Sequence, residues 1–364
     1  MKKAVIIGAV DLSRMSMVSL YTQYFDTHEI EYDIIYVDKY KDASPFHAKN
    51  YYPYHVEGYE TAPFPKKLCH YWKMRGHVRR ILEENHYDFA VVWGEFTSFL
   101  FADVVATQMP RRYCVNIRDY FYNHVPPVWH RLKIAISHAR FFTVSSAAYL
   151  DHLPKGNALV MHSLNPAVMR ELKPVSRLRG EDEPIRILYI GLISRLPYAF
   201  KMIDALAGDK RFEMVFAGIG SEDIDRYIEG KNISNVKTYG RFPMTDTAKY
   251  LNDADVLYNL YGYNDRHFDT ALSIKLYYAI GLHIPILVFD GTYTKETAER
   301  CGIAFVMHGE EYENLGDRLY AWYHSLRPEE LAKKCDAFLV EAEASRTALF
   351  DALDAVFEEN GANQ

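Results

Sequence analysis

Little in this chain suits a metal or disulfide scaffold. Its four cysteines, Cys69, Cys114, Cys301 and Cys335, lie far apart and form no CxxC pair, which argues against a zinc site and for buried, reduced thiols in a cytoplasmic setting. No apolar run approaches the roughly 20 residues that span a bilayer. The opening MKKAVIIGAVDLSR sets two lysines before an apolar run, but that run is seven residues long and is stopped by Asp11. With no small-residue cleavage site it reads as a first strand and not a leader. Excess positive charge is missing too: the formal net charge is −6, which argues against a nucleic-acid binder. The turn GAVDLSRMS lacks GxGxxG, which weakens a dehydrogenase reading.

What is present is an ordinary globular composition, 49% apolar and 25% charged, with 29 tyrosines. Short apolar runs alternate with helical stretches, the pattern of parallel α/β layers. The strand candidates in the first half are residues 3–9, 32–38, 89–95, 112–117, 141–145 and 158–162. In the second half they are 186–191, 213–218, 236–240, 255–261, 285–289 and 304–308. The segment 171–184, charged, with two prolines and no apolar periodicity, reads as a linker. The expected division is therefore a domain over 1–170, a linker over 171–184, a second domain over 185–327, and a helical segment over 328–364. Two Rossmann-like domains would face a central cleft, and the last helix would cross back to the first.

The second half carries a series of strand ends and turns: RILYIG, FEMVFAGIGS, NVKTYGRF, KYLNDADVLYNLY and SIKLYYAIGLHIPILV. Taken in order, it resembles the nucleotide-binding half of the GT-B sugar-nucleotide glycosyltransferases. Within them it is similar to bacterial exopolysaccharide glucuronosyltransferases. The resemblance implies a GT-B fold and transfer of a sugar from a nucleotide-sugar donor, UDP-linked, to a saccharide or lipid-linked acceptor, with no metal or cofactor. The chain departs from the pattern at Thr270 and Tyr278, where many retaining members carry a pair of Glu, at His283, where Gly is usual, and at Leu192, where a basic residue is usual.

Ser273 is an N-cap candidate that puts Lys275 in a first helical turn, where a cation is disfavoured unless an anion is bound. Lys275, the Ser273 hydroxyl and that turn's N–H groups are thus expected to hold a leaving diphosphate. The donor side would further include Gly191, Arg195, Gly240, Arg241, Phe242 against the base, and Tyr261; Arg195 or Lys201 would supply the charge missing at Leu192. Gly218-Ile219-Gly220-Ser221 reads as a tight turn. Asp253-Ala254-Asp255 resembles a metal-binding Asp-x-Asp, but it precedes a strand and reads as a helix end with a solvated acid.

On the acceptor side, Arg118 and Asp119 follow a strand, and Asp119 is the candidate general base. Glu95, Ser13 and Arg14 are acceptor-side candidates at other strand ends. Residues 65–82 hold six Lys/Arg beside an apolar stripe of Leu68, Trp72, Val78 and Leu82, a pattern that suits an anionic membrane surface as well as an outer helix. Residues 51–64 read as an aromatic loop, a lid or sugar platform. A sugar-nucleotide epimerase on the same fold and a non-catalytic nucleotide-sugar or glycan binder are the alternatives.

Overall fold

A computed structural model describes residues 2–15, 17–39, 46–55 and 64–362. The chain divides into two compact units, Met1–His162 with Glu343–Gln364, and Ser163–Ala342.

The first unit holds a seven-stranded parallel sheet. Its strands are β1 (Lys3–Gly8), β2 (Glu31–Asp38), β3 (Asn50–His55), β4 (Phe89–Trp93), β5 (Tyr113–Ile117), β6 (Phe141–Val144) and β7 (Ala158–Val160), in the order β3-β2-β1-β4-β5-β6-β7. Every residue of β4, β5 and β6 is buried, as expected of parallel strands covered on both faces. The second unit holds a six-stranded parallel sheet in the order β10-β9-β8-β11-β12-β13. These are β8 (Ile185–Ile190), β9 (Phe212–Ala217), β10 (Val236–Tyr239), β11 (Val256–Tyr258), β12 (Ile286–Phe289) and β13 (Ala304–Met307). In each sheet the order reverses beside the first strand, between β1 and β4 and between β8 and β11. Crevices outside the carboxyl ends of strands at such switch points are where open α/β sheets bind ligands.

Two expectations are corrected. The aromatic loop expected over 51–64 is an edge strand, β3, as far as His55; residues 56–63 lie outside the described residues. Pro53 is tolerated there because an edge strand needs hydrogen bonds on one side only. The expected linker 171–184 lies inside the second unit. Val175 N–H donates to Leu282 O at 2.8 Å, and Arg179 Nε reaches both oxygens of Asp255 at 2.9 and 3.0 Å. These partners lie far along the chain, so local composition could not reveal them.

The last helix, Pro328–Ala362, serves both cores. Leu331, Cys335, Phe338 and Ala342 belong to the apolar cluster around the second sheet; Leu349, Leu353, Val356 and Phe357 belong to that around the first. Each set repeats at three and four residues, so each is a stripe on one helix face.

Candidate functional site

A cavity of about 680 Å³ opens at the carboxyl ends of β8 and β9. Gly191 and Gly218, which follow those strands, both line it and have φ of 102° and 138°, a region that favours glycine. A Cβ on Gly218 would lie 1.8 Å from Gly191 O, so the two loops touch backbone to backbone. Arg241, Phe242 and Pro243 close another side, with Phe242 packed at 4.6 Å on Tyr250. The start of the helix Ile274–Leu282 supplies Ile274, Lys275 and Tyr278.

That helix is buried from Lys275 to Leu282, an all-round apolar element inside the sheet packing with one lysine in it. Lys275 is 5% exposed. Its ammonium contacts the Tyr261 hydroxyl and lies 5.1 Å and 4.5 Å from the ring centres of Tyr189 and Tyr261. No carboxylate pairs with it among the described residues. Burial alone pushes its pKa down from 10.5 to about 7. A cation so placed is costly without an anion, and here it meets the positive end of a helix. Ser273 is the N-cap: its hydroxyl accepts from Lys275 N–H at 3.3 Å, while its own N–H donates to Thr294 Oγ1 at 3.3 Å. Ser273 and Tyr261 face a smaller cavity beside the first.

Other donor-side candidates fall elsewhere. Arg195 does not line the cavity; its guanidinium lies 4.6 Å over the Phe268 ring. Lys201 is paired with Glu310 at 2.6 Å. Gly240 is exposed and precedes Arg241 outside the lining. The lining also includes Ile219 and Met244, which the sequence reading did not place at the donor site, and Leu192, which it noted only for its missing charge. All three are exposed apolar side chains. The signal for two of them was local: each directly follows a strand-end glycine. Of the two acids at that helix end, Asp253 is the solvated one expected there and Asp255 is not. It is buried, accepting from Arg186 N–H at 2.8 Å and from Arg179, and Asp253 pairs with Arg186.

In the first unit, β4 and β5 are neighbours, so the turn after β5 meets the helix Glu95–Gln108 that follows β4. Asp119 is exposed, and its backbone N–H donates to Glu95 Oε1 at 2.6 Å. Glu95 is 4% exposed. Burial first, then the Asp119 charge, pushes its carboxyl up to about 8 despite the backbone N–H groups of Asp119, Glu95 and Arg118. The other side of the turn is held through Arg118 O, which accepts from Ser145 Oγ at 3.1 Å and from Tyr149 Oη at 3.4 Å. Glu95, expected on the acceptor surface, is thus a buried clasp on the Asp119 turn. Ser13 and Arg14 are exposed after β1, with the Ser13 hydroxyl donating to Asp11 Oδ1 at 2.7 Å.

The helix Phe64–Asn85 covers the 65–82 segment, but its buried stripe is Tyr71, Met74, Val78, Ile81 and Leu82. Trp72 faces outward, 46% exposed, under the Arg75 guanidinium at 4.3 Å. Arg75 is in turn drawn to Asp103, so Lys73, Arg79 and Arg80 make up the exposed basic face.

Comparison with solved structures gives matches over nearly the whole chain at low identity. A sucrose-phosphate synthase from Thermosynechococcus elongatus superposes with a TM-score of 0.72 at 12% identity, covering 99% of this chain and 100% of that one. HepE of Anabaena, solved in complex with UDP, gives 0.64 at 12% identity over 98% and 100%. A putative UDP-N-acetylglucosamine 2-epimerase from Listeria monocytogenes gives 0.61 at 13% identity over 99% and 97%. No protein-family model matches the chain, and no curated protein matches it. At these identities the likeness is one of fold: two parallel α/β units in the GT-B class.

Proposed function

We propose that this chain, which has the GT-B fold, is a glycosyltransferase moving a sugar from a nucleoside-diphosphate donor, a UDP-sugar, to a saccharide or lipid-linked acceptor. The observation that carries the reading is Lys275: a buried cation without a carboxylate partner among the described residues, at a helix start, lining a strand-end cavity. As the bond from the anomeric carbon to the diphosphate breaks, the electron pair moves onto the phosphate oxygens. Lys275 and the helix's positive end stabilise that growing charge. The exposed apolar side chains of Leu192, Ile219 and Met244, with Phe242, offer a surface for the base. The neighbour solved with UDP supports a uridine nucleotide.

Asp119 takes the proton of the acceptor hydroxyl as its oxygen bonds to the anomeric carbon. Lys275 and the helix supply the positive charge that a metal supplies elsewhere, so chelation with EDTA leaves turnover unchanged; activity lost in EDTA and restored by Mg²⁺ would overturn that part. Lys73, Arg79 and Arg80 present a basic face to a membrane-bound acceptor, and pelleting with anionic vesicles tests it.

The experiment that tests the whole reading is a thermal-shift panel of nucleotides and nucleotide sugars, since a ligand of the folded state raises its midpoint with occupancy. UDP and UDP-sugars shift the wild type and fail to shift Lys275→Met; a panel without any shift sinks the reading. The Listeria neighbour favours one second reading, an epimerase acting without an acceptor. C2 epimerisation of UDP-N-acetylglucosamine by the pure protein would decide for it.

A further inference from the structure

The smaller cavity, about 250 Å³, lies at the carboxyl ends of β11 and β12. Its polar lining is Asn259, Tyr261, Ser273, Thr292 and Thr294, with His267 on the exposed side. Among the described residues no Asp, Glu, Lys or Arg lines it. The volume leaves room for a small ligand. Two links join its lining to that of the Lys275 cavity: the Tyr261 hydroxyl on Lys275, and the peptide bond from Ser273 to Ile274. A group carried on an anion at Lys275 has this cavity next to it.

Two of the lining hydroxyls are already spent as donors within the protein. The Thr292 hydroxyl is spent on Phe289 O at 2.9 Å and the Thr294 hydroxyl on Ala271 O at 2.9 Å. The decisive atom is Asn259 Oδ1. Asn259 is 8% exposed, and its Oδ1 is buried with no hydrogen-bond partner among the described residues. Leaving a buried acceptor unmet is costly, so such an atom calls for a ligand that donates. A carboxylate brings further acceptors, offers no donor to that oxygen, and would find no Lys or Arg in the lining among the described residues. Hydroxyl groups supply what is missing.

We propose that this cavity seats the transferred sugar as an uncharged hexosyl group, with Asn259 Oδ1 accepting a hydrogen bond from one of its hydroxyls. The inference rests on the reading of the Lys275 cavity as the diphosphate site, and it departs from the uronyl donors that the sequence resemblance suggests.

Calorimetric titration with UDP, UDP-glucose and UDP-glucuronic acid tests it. UDP-glucose is expected to bind about tenfold more tightly than UDP-glucuronic acid. Asn259→Ala is expected to weaken UDP-glucose about tenfold and to leave UDP unchanged. Should that variant not fold, His267→Trp, on the exposed side of the lining, is expected to crowd the cavity and weaken UDP-glucose while sparing UDP. The inference is overturned if UDP-glucuronic acid binds best, or if the folded variants treat UDP and UDP-glucose alike while UDP still binds; the diphosphate reading then stands. If none of the three ligands binds, the diphosphate reading falls and this inference with it.

Discussion

Two buried ionisable residues set the chemistry, and both leave a mark on pH dependence. Lys275 titrates at about 7 in the fold against 10.5 ordinarily, so above pH 7 the unfolded chain holds the extra proton. Its contribution to stability is present above 10.5 and is lost as pH falls to 7. Lys275→Met is therefore expected to raise the unliganded protein's stability by on the order of 2 kcal/mol at pH 8, read by denaturant melts. Affinity for a UDP-sugar, whose phosphates do not titrate near neutrality, is expected to be flat below pH 7. It should weaken by up to about tenfold per unit above that pH, as the ammonium loses its proton. Glu95 has the opposite sign: with its carboxyl raised to about 8, its contribution is present below 4.5 and is lost as pH rises through 8. As a clasp on the Asp119 turn, Glu95 should be replaceable by Gln, which still accepts the Asp119 N–H, and not by Leu. Asp119→Asn is expected to lower turnover by about 10² or more with donor affinity intact, the kinetic split that separates a base from a binding residue. Lys275 was legible in the sequence because a Ser cap two positions earlier fixes its place on the helix. Asn259 was not, because an unmet oxygen is a property of its three-dimensional surroundings.

At the scale of elements, the turns matter most. Gly218→Ala would drive a methyl into Gly191 O, a backbone atom that cannot swing aside, and is expected to destabilise the second unit severely and collapse the donor cavity. Ser273→Ala removes a side-chain cap and should cost about 1 kcal/mol, visible as a lower unfolding midpoint. Twelve of the thirteen strands among the described residues were legible, most of them because parallel strands buried on both faces read as continuous apolar runs. The one missed, β3, is the half-buried edge sequence NYYPYH, whose proline argues locally against a strand. The stripe of the Phe64–Asn85 helix was also misread. Trp72 was grouped with Val78 and Leu82 in one stripe on hydrophobicity, whereas it lies outward under Arg75, an arrangement favourable to an aromatic ring and a guanidinium at the surface.

For the whole molecule, the shared final helix decides how its parts depend on one another. Ending the chain after Ala342 removes Leu349, Leu353, Val356 and Phe357 from the first unit's core. At about 1.5–3 kcal/mol for each large apolar side chain, the loss is about 6–12 kcal/mol, comparable with the total stability of a domain. Calorimetry on the shortened chain is expected to lose the first unit's transition, while UDP still protects the second, which keeps Leu331 through Ala342. A chain emerging from the ribosome meets the same condition in time. The first unit's residues up to His162 must wait, open to chaperones, until Phe357 has been translated, so the unit whose strands are made earlier is completed after the second.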